Sequence, residues 1–109
     1  MTLIILSPEA RIDLTDHHDY IAENNTDAAL RFFDAARSTF ADLAKMPLIG
    51  SRYTLNNSQQ SDLRKWRIKG FKHFLIFYRV GEEAIEIVRI LSAFQNIEQI
   101  LNPSEDAAD

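Results

Sequence analysis

Apolar and aromatic side chains concentrate in three short runs between residues 63 and 91. The runs are Arg64–Lys69, His73–Val80 and Ala84–Leu91, and each break between them contains a glycine. Phe, Tyr, Trp, Ile and Val suit the pleated surface of a sheet. Because such short connections can join only antiparallel neighbours, this stretch predicts a three-stranded antiparallel meander.

Alternation within the runs predicts which side chains share a face of the sheet. In the first run, Trp66 and Ile68 point to one face, and Lys65, Arg67 and Lys69 point to the other. The second and third runs are apolar on both faces, so both faces of these strands require cover. In the second run, one face carries Phe74, Ile76 and Tyr78, and the other carries Leu75 and Phe77. In the third run, one face carries Ile85 and Ile87, and the other carries Val88 and Ile90.

The first half of the chain predicts one strand and two helices. Leu3–Leu6 is a short apolar run typical of a buried strand. Ser7 and Pro8 suit the N-cap and first position of a helix. One face of that helix carries Ala10, Leu14, His17 and Ile21.

Asn25 or Thr26 caps the second helix, which ends before Pro47. Its wide apolar stripe is formed by Ala29, Phe32, Phe33, Ala36, Phe40, Leu43 and Ala44. The few polar residues between the two helices predict an antiparallel helical hairpin. The polar stretch from Ile49 to Asp62 favours a loop, most strongly over residues 56–61.

After the meander, residues 96–101 favour a short helix, and residues 104–109 a flexible acidic tail. The expected fold is α+β, with the N-terminal strand and the helical hairpin packed on a mainly antiparallel four-stranded sheet, in one domain over residues 1–103. Two helices cover only one face of such a sheet. We therefore expect the other face to stay open for a partner, unless the loop 50–62 or the tail folds over it. That face carries either Leu75 and Phe77 or their opposite-face counterparts.

Charge divides the chain into three parts. Residues 1–50 carry eight acids and four bases, residues 51–91 carry four acids and eight bases, and residues 92–109 carry four acids and no base. The bases therefore concentrate on the predicted sheet, where they suit an acidic partner or a phosphate backbone, or simply a solvated sheet edge.

Composition narrows the possible classes of protein. There is no cysteine among the 109 residues, which excludes disulfide scaffolds and thiolate zinc sites. No apolar run approaches the roughly 20 residues of a membrane span. The first ten residues lack the basic region of a signal peptide. The chain is thus expected to be cytoplasmic, with no membrane contact and no cofactor.

Few of the titratable residues form a recognisable site. His17 and His18 point in different directions on a helix, without a further ligand at i+4, so both are interpreted as surface residues rather than metal ligands. Asp13 and Asp16 are interpreted as solvated helix residues. His73 is interpreted as a turn or sheet residue rather than a catalytic base.

Arg79 and Arg89 lie within apolar strands, where a guanidinium needs an anionic partner. Glu86 is the intramolecular candidate, and a carboxylate of a binding partner is the alternative.

Several short strings, taken in order, resemble the ParE/RelE toxins of bacterial type II toxin–antitoxin pairs, and they resemble the ParE branch most. The resemblance covers about residues 3–101. The strings are Ser7-Pro8-x-Ala10-x-x-Asp13-Leu14, Asp19-Tyr20-Ile21-Ala22-Glu23-Asn24, Phe40-x-x-Leu43-Ala44-x-x-Pro47-x-x-Gly50, Leu63-Arg64-x-Trp66, Leu75-Ile76-Phe77-Tyr78-Arg79-Val80 and Ile85-Glu86-Ile87-Val88-Arg89-Ile90-Leu91.

The resemblance implies a toxin that inhibits growth by binding DNA gyrase and that a cognate ParD-like antitoxin neutralises by wrapping it. DNA would then be contacted only through the antitoxin complex. Together with the open face and its cations, this gives Lys65, Arg67, Leu75, Phe77, Arg79 and Arg89 as candidate antitoxin-binding residues.

ParE-like chains often carry a His-Gly-Ala-Arg-Asp-like string after the last strand. This chain has Ser92-Ala93-Phe94-Gln95-Asn96 there, and we take Phe94, Gln95 and Asn96 as candidate target-binding residues. RelE-like relatives instead cut messenger RNA with basic residues, and the matching sheet position here is Leu75. No catalytic residue is therefore assigned. The alternatives are a RelE-type endonuclease that uses Lys65, Arg67, Lys69 and His73, or a non-toxic relic that only binds the antitoxin.

Overall fold

The computed structural model describes residues 2–54 and 62–102. The stretch 56–61 and the predicted tail 104–109 lie outside these ranges. Within them, the elements follow one another as β1 (Leu3–Leu6), α1 (Pro8–Ala22), α2 (Thr26–Lys45), β2 (Ser51–Arg52), β3 (Arg64–Ile68), β4 (Phe71–Val80), β5 (Ala84–Ser92) and α3 (Ile97–Leu101).

The strands form one sheet in the order β1-β5-β4-β3-β2. β1 pairs with β5 in parallel, and every other pair is antiparallel. The predicted α+β architecture is confirmed, with one additional strand. Ser51–Arg52 was predicted as loop because a two-residue strand is too short to show alternation. No helix in the described ranges is both long and apolar enough to cross a membrane.

Both long helices begin at side-chain caps. Ser7 Oγ accepts a hydrogen bond from the Ala10 N–H at 3.0 Å, and Asn25 Oδ1 accepts one from the Ala28 N–H at 2.9 Å. Each cap satisfies an amide that has no partner within its helix. α2 ends at Lys45, directly before Met46 and Pro47, as the proline predicts.

The face of the sheet that packs against α1 and α2 is called here the first face. Its core joins the apolar stripe of α2 to inward side chains of β3, β4 and β5. The fully buried members from the sheet are Ile68, Ile76, Tyr78, Ile85, Ile87 and Ile90. Phe74, Ile76 and Tyr78 share this face, as the alternation of their run predicts, and the structure decides that it is the face toward the helices.

A bulge in β5 changes the predicted face of one residue. Phe77 pairs with Arg89, whereas the next residue, Tyr78, pairs with Ile87, so Val88 is an extra residue in β5. An inserted residue reverses the alternation that follows it. Ile90 therefore joins the first-face core instead of lying with Val88, and that part of the prediction is wrong.

The Tyr78 hydroxyl fixes the segment that follows α2. It donates to the Pro47 carbonyl at 2.7 Å and accepts from the Gly50 N–H at 2.9 Å. A Cβ at Gly50 would lie 2.5 Å from this hydroxyl and 2.7 Å from the Lys65 carbonyl, so only glycine fits. Burial raises the pKa of Tyr78, and the phenol stays neutral over the physiological range.

Candidate partner-binding surface

The opposite side of the sheet, called here the second face, is covered in part by the chain itself. Ile97, Ile100 and Leu101 of α3, together with Tyr53, pack around Phe77 and its neighbours Leu63 and Leu91. Phe77 is fully buried, so the expectation that it lies on an open surface is wrong. The predicted short helix has enough apolar side chains to cover the middle of this face, although it has only five residues.

The part of the second face beside β3 is less covered. Leu75 is only half-buried and pairs with Arg67 across β3 and β4. Lys65, Arg67, Leu75 and Ser51 line one shallow concavity. Lys65 Nζ also lies 5.6 Å from the centroid of the Tyr53 ring, a cation–π distance. We call Lys65, Arg67 and Leu75 the basic strip.

Alternation predicts that Lys69 lies on the same face as Lys65 and Arg67, but in the structure Lys69 lies outside the basic strip. A register shift between Arg67 and Ile68 interrupts the pairing of β3 with β4. Beyond that shift the chain turns toward α2, where Lys69 Nζ lies 3.0 Å from Asp42 Oδ2 and 3.1 Å from Ser38 Oγ. The predicted stripe of three cations therefore has two members, which weakens the case for an RNA-cleaving surface.

Arg79 finds its anionic partners within the chain. Its guanidinium lies 3.3 Å from Asp62 Oδ1 and 3.4 Å from Glu86 Oε1. The pairing with Glu86 is the intramolecular candidate that the sequence offered. All three side chains remain partly exposed, so the cluster stays accessible from solvent.

Arg89 pairs with a different carboxylate, Asp13 of α1. Its Nε and Nη2 donate to the two Asp13 oxygens at 2.7 and 2.8 Å, and Asp13 also accepts the Ile90 N–H at 2.9 Å. The hydrogen bonds from Arg89 to Asp13 raise the pKa of the guanidinium further. Asp13 is only 7% exposed, so its interpretation as a solvated helix residue is wrong.

The sequence held a signal for this pair. Asp13 lies at i+3 from Ala10 and i+4 before His17, inside the stripe that α1 turns toward the sheet. A carboxylate within an apolar stripe requires a buried partner, and the arginine within an apolar strand is its complement.

His17 is also less exposed than predicted. Its Nε2 donates to the Ile90 carbonyl at 2.8 Å, and its ring lies 4.9 Å from that of Phe74, centroid to centroid. Ser7 Oγ donates to the Val88 carbonyl at 2.7 Å. Ser7, Asp13 and His17 thus satisfy the edge of β5 beyond the end of the short strand β1, which is a structural role.

His18 is engaged in local contacts. Its ring stacks on Phe33 with 4.2 Å between centroids, and Nδ1 lies 3.0 Å from Asp19 Oδ1. Within residues 2–54 and 62–102, no three side chains of His, Asp or Glu are grouped closely enough to hold a metal ion.

The turn after β5 presents the candidate target-binding residues in different ways. Gln95 Oε1 accepts the Ser92 N–H at 2.7 Å, which closes the turn. Asn96 Oδ1 accepts the Gln99 N–H at 3.3 Å as the N-cap of α3. The Phe94 side chain is 82% exposed. Phe94 is therefore presented to solvent, whereas Gln95 and Asn96 maintain the local structure.

Comparisons with known proteins connect this geometry to a family. The model of the family described as "ParE toxin of type II toxin-antitoxin system, parDE" matches residues 4–97. The chain belongs to the ParE toxin family. The predicted resemblance to the ParE branch is thereby confirmed, and the elements described above are those of a type II toxin.

A solved structure supports the ParE fold independently. It is described as "Chromosomal ParDE TA system from P. aeruginosa", and it matches with a TM-score of 0.67 over 84% of this chain and 96% of that chain. The sequence identity is 19%, so this likeness shows the fold alone. A search of curated protein sequences gave no significant match.

Proposed function

We propose that this ParE toxin arrests growth by binding DNA gyrase, and that a cognate ParD-like antitoxin neutralises it by placing an acidic segment along the basic strip. DNA would be contacted only through the antitoxin complex, in the cytoplasm. Family membership supports the toxin and its antitoxin. The observation that carries the binding mode is the charge of the exposed sheet beside β3.

The charged side chains of β3 and β4 are all positive. Between residues 63 and 81 the chain has six cations and no acid. Within the described ranges, Arg67 forms no ion pair with a carboxylate of this chain. Exposed ion pairs contribute only about 0.2–1 kcal/mol each, so the cations select and steer the partner while Leu75 supplies apolar contact.

The six candidate residues then divide by role. We assign Lys65, Arg67 and Leu75 to direct contact with the antitoxin. Arg79 can reach an acidic segment only in competition with its own carboxylates. The last two candidates support this surface indirectly, because Phe77 is fully buried and the partly exposed Arg89 is paired with Asp13.

The antitoxin part is tested with the product of the neighbouring open reading frame. Arg67→Glu should weaken the complex by about ten-fold or more and reduce its dependence on salt, because it reverses a charge that faces the acidic segment. Arg37→Glu is the matched control, since Arg37 is exposed on α2. Equal affinity of native protein and Arg67→Glu would place the antitoxin elsewhere.

The target part is tested separately. Induction without the antitoxin should arrest growth, and purified toxin at micromolar concentration should inhibit supercoiling by gyrase. Normal supercoiling by gyrase with correctly folded toxin would refute the gyrase proposal and leave the family assignment unchanged.

A further inference from the structure

Phe94 is the most exposed large hydrophobic side chain in the described ranges, at 82%. A single exposed apolar residue is ordinary on a protein surface. Phe94 differs from such a residue in two respects. Hydrogen bonds hold the backbone turn that carries it, and its neighbours form an apolar surface that includes a cation.

Four hydrogen bonds fix the turn on either side of Phe94. The Ala93 N–H donates to the His73 carbonyl at 2.7 Å, and the Phe94 N–H donates to Ser92 Oγ at 3.1 Å. The Gln95 N–H donates to the Ser92 carbonyl at 3.0 Å, and the Ser92 N–H donates to Gln95 Oε1 at 2.7 Å. The backbone that carries Phe94 is thus ordered in advance, which reduces the entropy lost on binding.

The surface beside Phe94 is apolar with a basic margin. The His73 ring lies 5.1 Å from the Phe94 ring, centroid to centroid. His73 also lines a concavity with Phe71, Phe74 and Lys72. Within the described ranges, Lys72 pairs with no carboxylate of this chain. An aromatic anchor next to an uncompensated cation is complementary to an acidic protein surface that contains an apolar socket.

We propose that Phe94 is the anchor by which this toxin engages its protein target, inserting into an apolar socket whose rim is acidic and meets Lys72. This inference rests on the proposed function, since it names the target-binding part of the same toxin. The two cations of the basic strip lie on β3, whereas Phe94 lies in the turn after β5, so the antitoxin-binding cations and the target anchor are on different parts of the chain. Gln95 and Ser92 are positioning residues, because they act through the turn.

A protein target is favoured over single-stranded nucleic acid. Binding of single strands uses a series of aromatic rings on which successive bases stack, along a groove of cations. Here one exposed phenyl ring lies beside one histidine ring, and one lysine lines the same concavity as that histidine. That arrangement fits one socket better than a continuous strand.

The central test uses the full chain. Phe94→Ala should reduce growth arrest on induction and weaken binding to gyrase by about ten-fold or more, the loss expected for a buried aromatic anchor. Phe94→Trp should retain most of the growth arrest and most of the affinity for gyrase. Leu30→Ala is the matched control, because Leu30 is 61% exposed on α2 and lies outside the turn. Antitoxin binding should stay native in all three variants, which verifies the fold.

Gln95→Ala tests the positioning role. It removes the acceptor that closes the turn, so it should weaken target binding less than Phe94→Ala and leave antitoxin binding intact. Gln95→Ala in the Phe94→Ala background should then have almost no further effect, since the turn would have no anchor to position.

The outcomes separate this inference from the proposed function. If the native chain arrests growth and Phe94→Ala does so equally well, the anchor is refuted and the toxin remains. If native protein arrests growth without binding gyrase while Phe94→Ala is inactive, the anchor stands and the gyrase proposal fails. If Phe94→Ala loses only binding to single-stranded DNA or RNA, the protein socket is refuted. Absence of growth arrest by the native chain would overturn both.

Discussion

The two faces of the sheet are covered very differently. Two helices of 15 and 20 residues bury the first face, and the described part of the chain places a helix of five residues over the second. The first face holds Phe32, Tyr78 and a row of isoleucines without exposure. The second face buries Phe77 but leaves Leu75, Lys65 and Arg67 accessible. The first face thus provides most of the buried core, and the second face provides the surface available to partners.

The largest expected loss of stability comes from the centre of the first face. Phe32 is fully buried, and its ring lies 5.0 and 5.3 Å from those of Phe74 and Phe71. Phe32→Ala should lower the free energy of unfolding by about 3–5 kcal/mol, because packed rings cannot close the cavity. Urea denaturation followed by circular dichroism measures it. A loss as small as that of a surface substitution would contradict the division between the faces.

The next effect concerns the junction of α1 with β5. Asp13→Asn keeps an acceptor for the Ile90 N–H but leaves the Arg89 guanidinium without its carboxylate. We expect a loss of about 2–3 kcal/mol, below the range for a fully buried pair because Arg89 is partly exposed. The control is Asp16→Asn, on the same helix, which should change the unfolding free energy by less than about 0.5 kcal/mol.

A smaller effect is expected for the cover of the second face. Leu101→Ala should lower the unfolding free energy by about 2 kcal/mol, the low end for a buried leucine, because a five-residue helix can shift to fill the space. Amide hydrogen exchange should become faster first in α3 rather than in α2. If exchange in α2 accelerates equally, the two faces unfold as one unit.

The smallest effect, and the one that depends on pH, involves Tyr78. Tyr78→Phe removes the hydroxyl that bonds Pro47 and Gly50, and it should cost about 1–2 kcal/mol at neutral pH. Burial raises the pKa of Tyr78 above its ordinary value of 10.0. The folded state therefore binds the proton more tightly, and stability is complete below pH 10.0 and falls as the pH rises toward the folded pKa.

Tyr78→Phe should consequently flatten the decline in stability above about pH 10, as measured by urea midpoints at increasing pH. The pKa of Tyr53 is also raised, by burial and by the neighbouring Glu98, so a smaller decline should persist in the variant. An unchanged decline would mean that Tyr78 has the same pKa in the folded and the unfolded states.

Periodicity alone was enough for most of the architecture. The stripe of α2, the caps Ser7 and Asn25, and the alternation of β4 depend on residues close together in sequence, so they could be predicted locally. The candidate site could be predicted only in outline. Lys65 and Arg67 share a face as expected, whereas the places of Lys69 and Phe77 depend on a register shift and on the packing of α3.

The sequence by itself determined the element order, the family strings and the concentration of cations on β3 and β4, because these properties do not depend on distant contacts. Only the tertiary structure decided that Arg89 pairs with Asp13, that Val88 is an extra residue in β5, and that α3 covers Phe77. The first and third join residues distant in sequence, and the second depends on the register of β5 against β4. Such contacts arise from the register of strands and the closure of long loops, to which local patterns are insensitive.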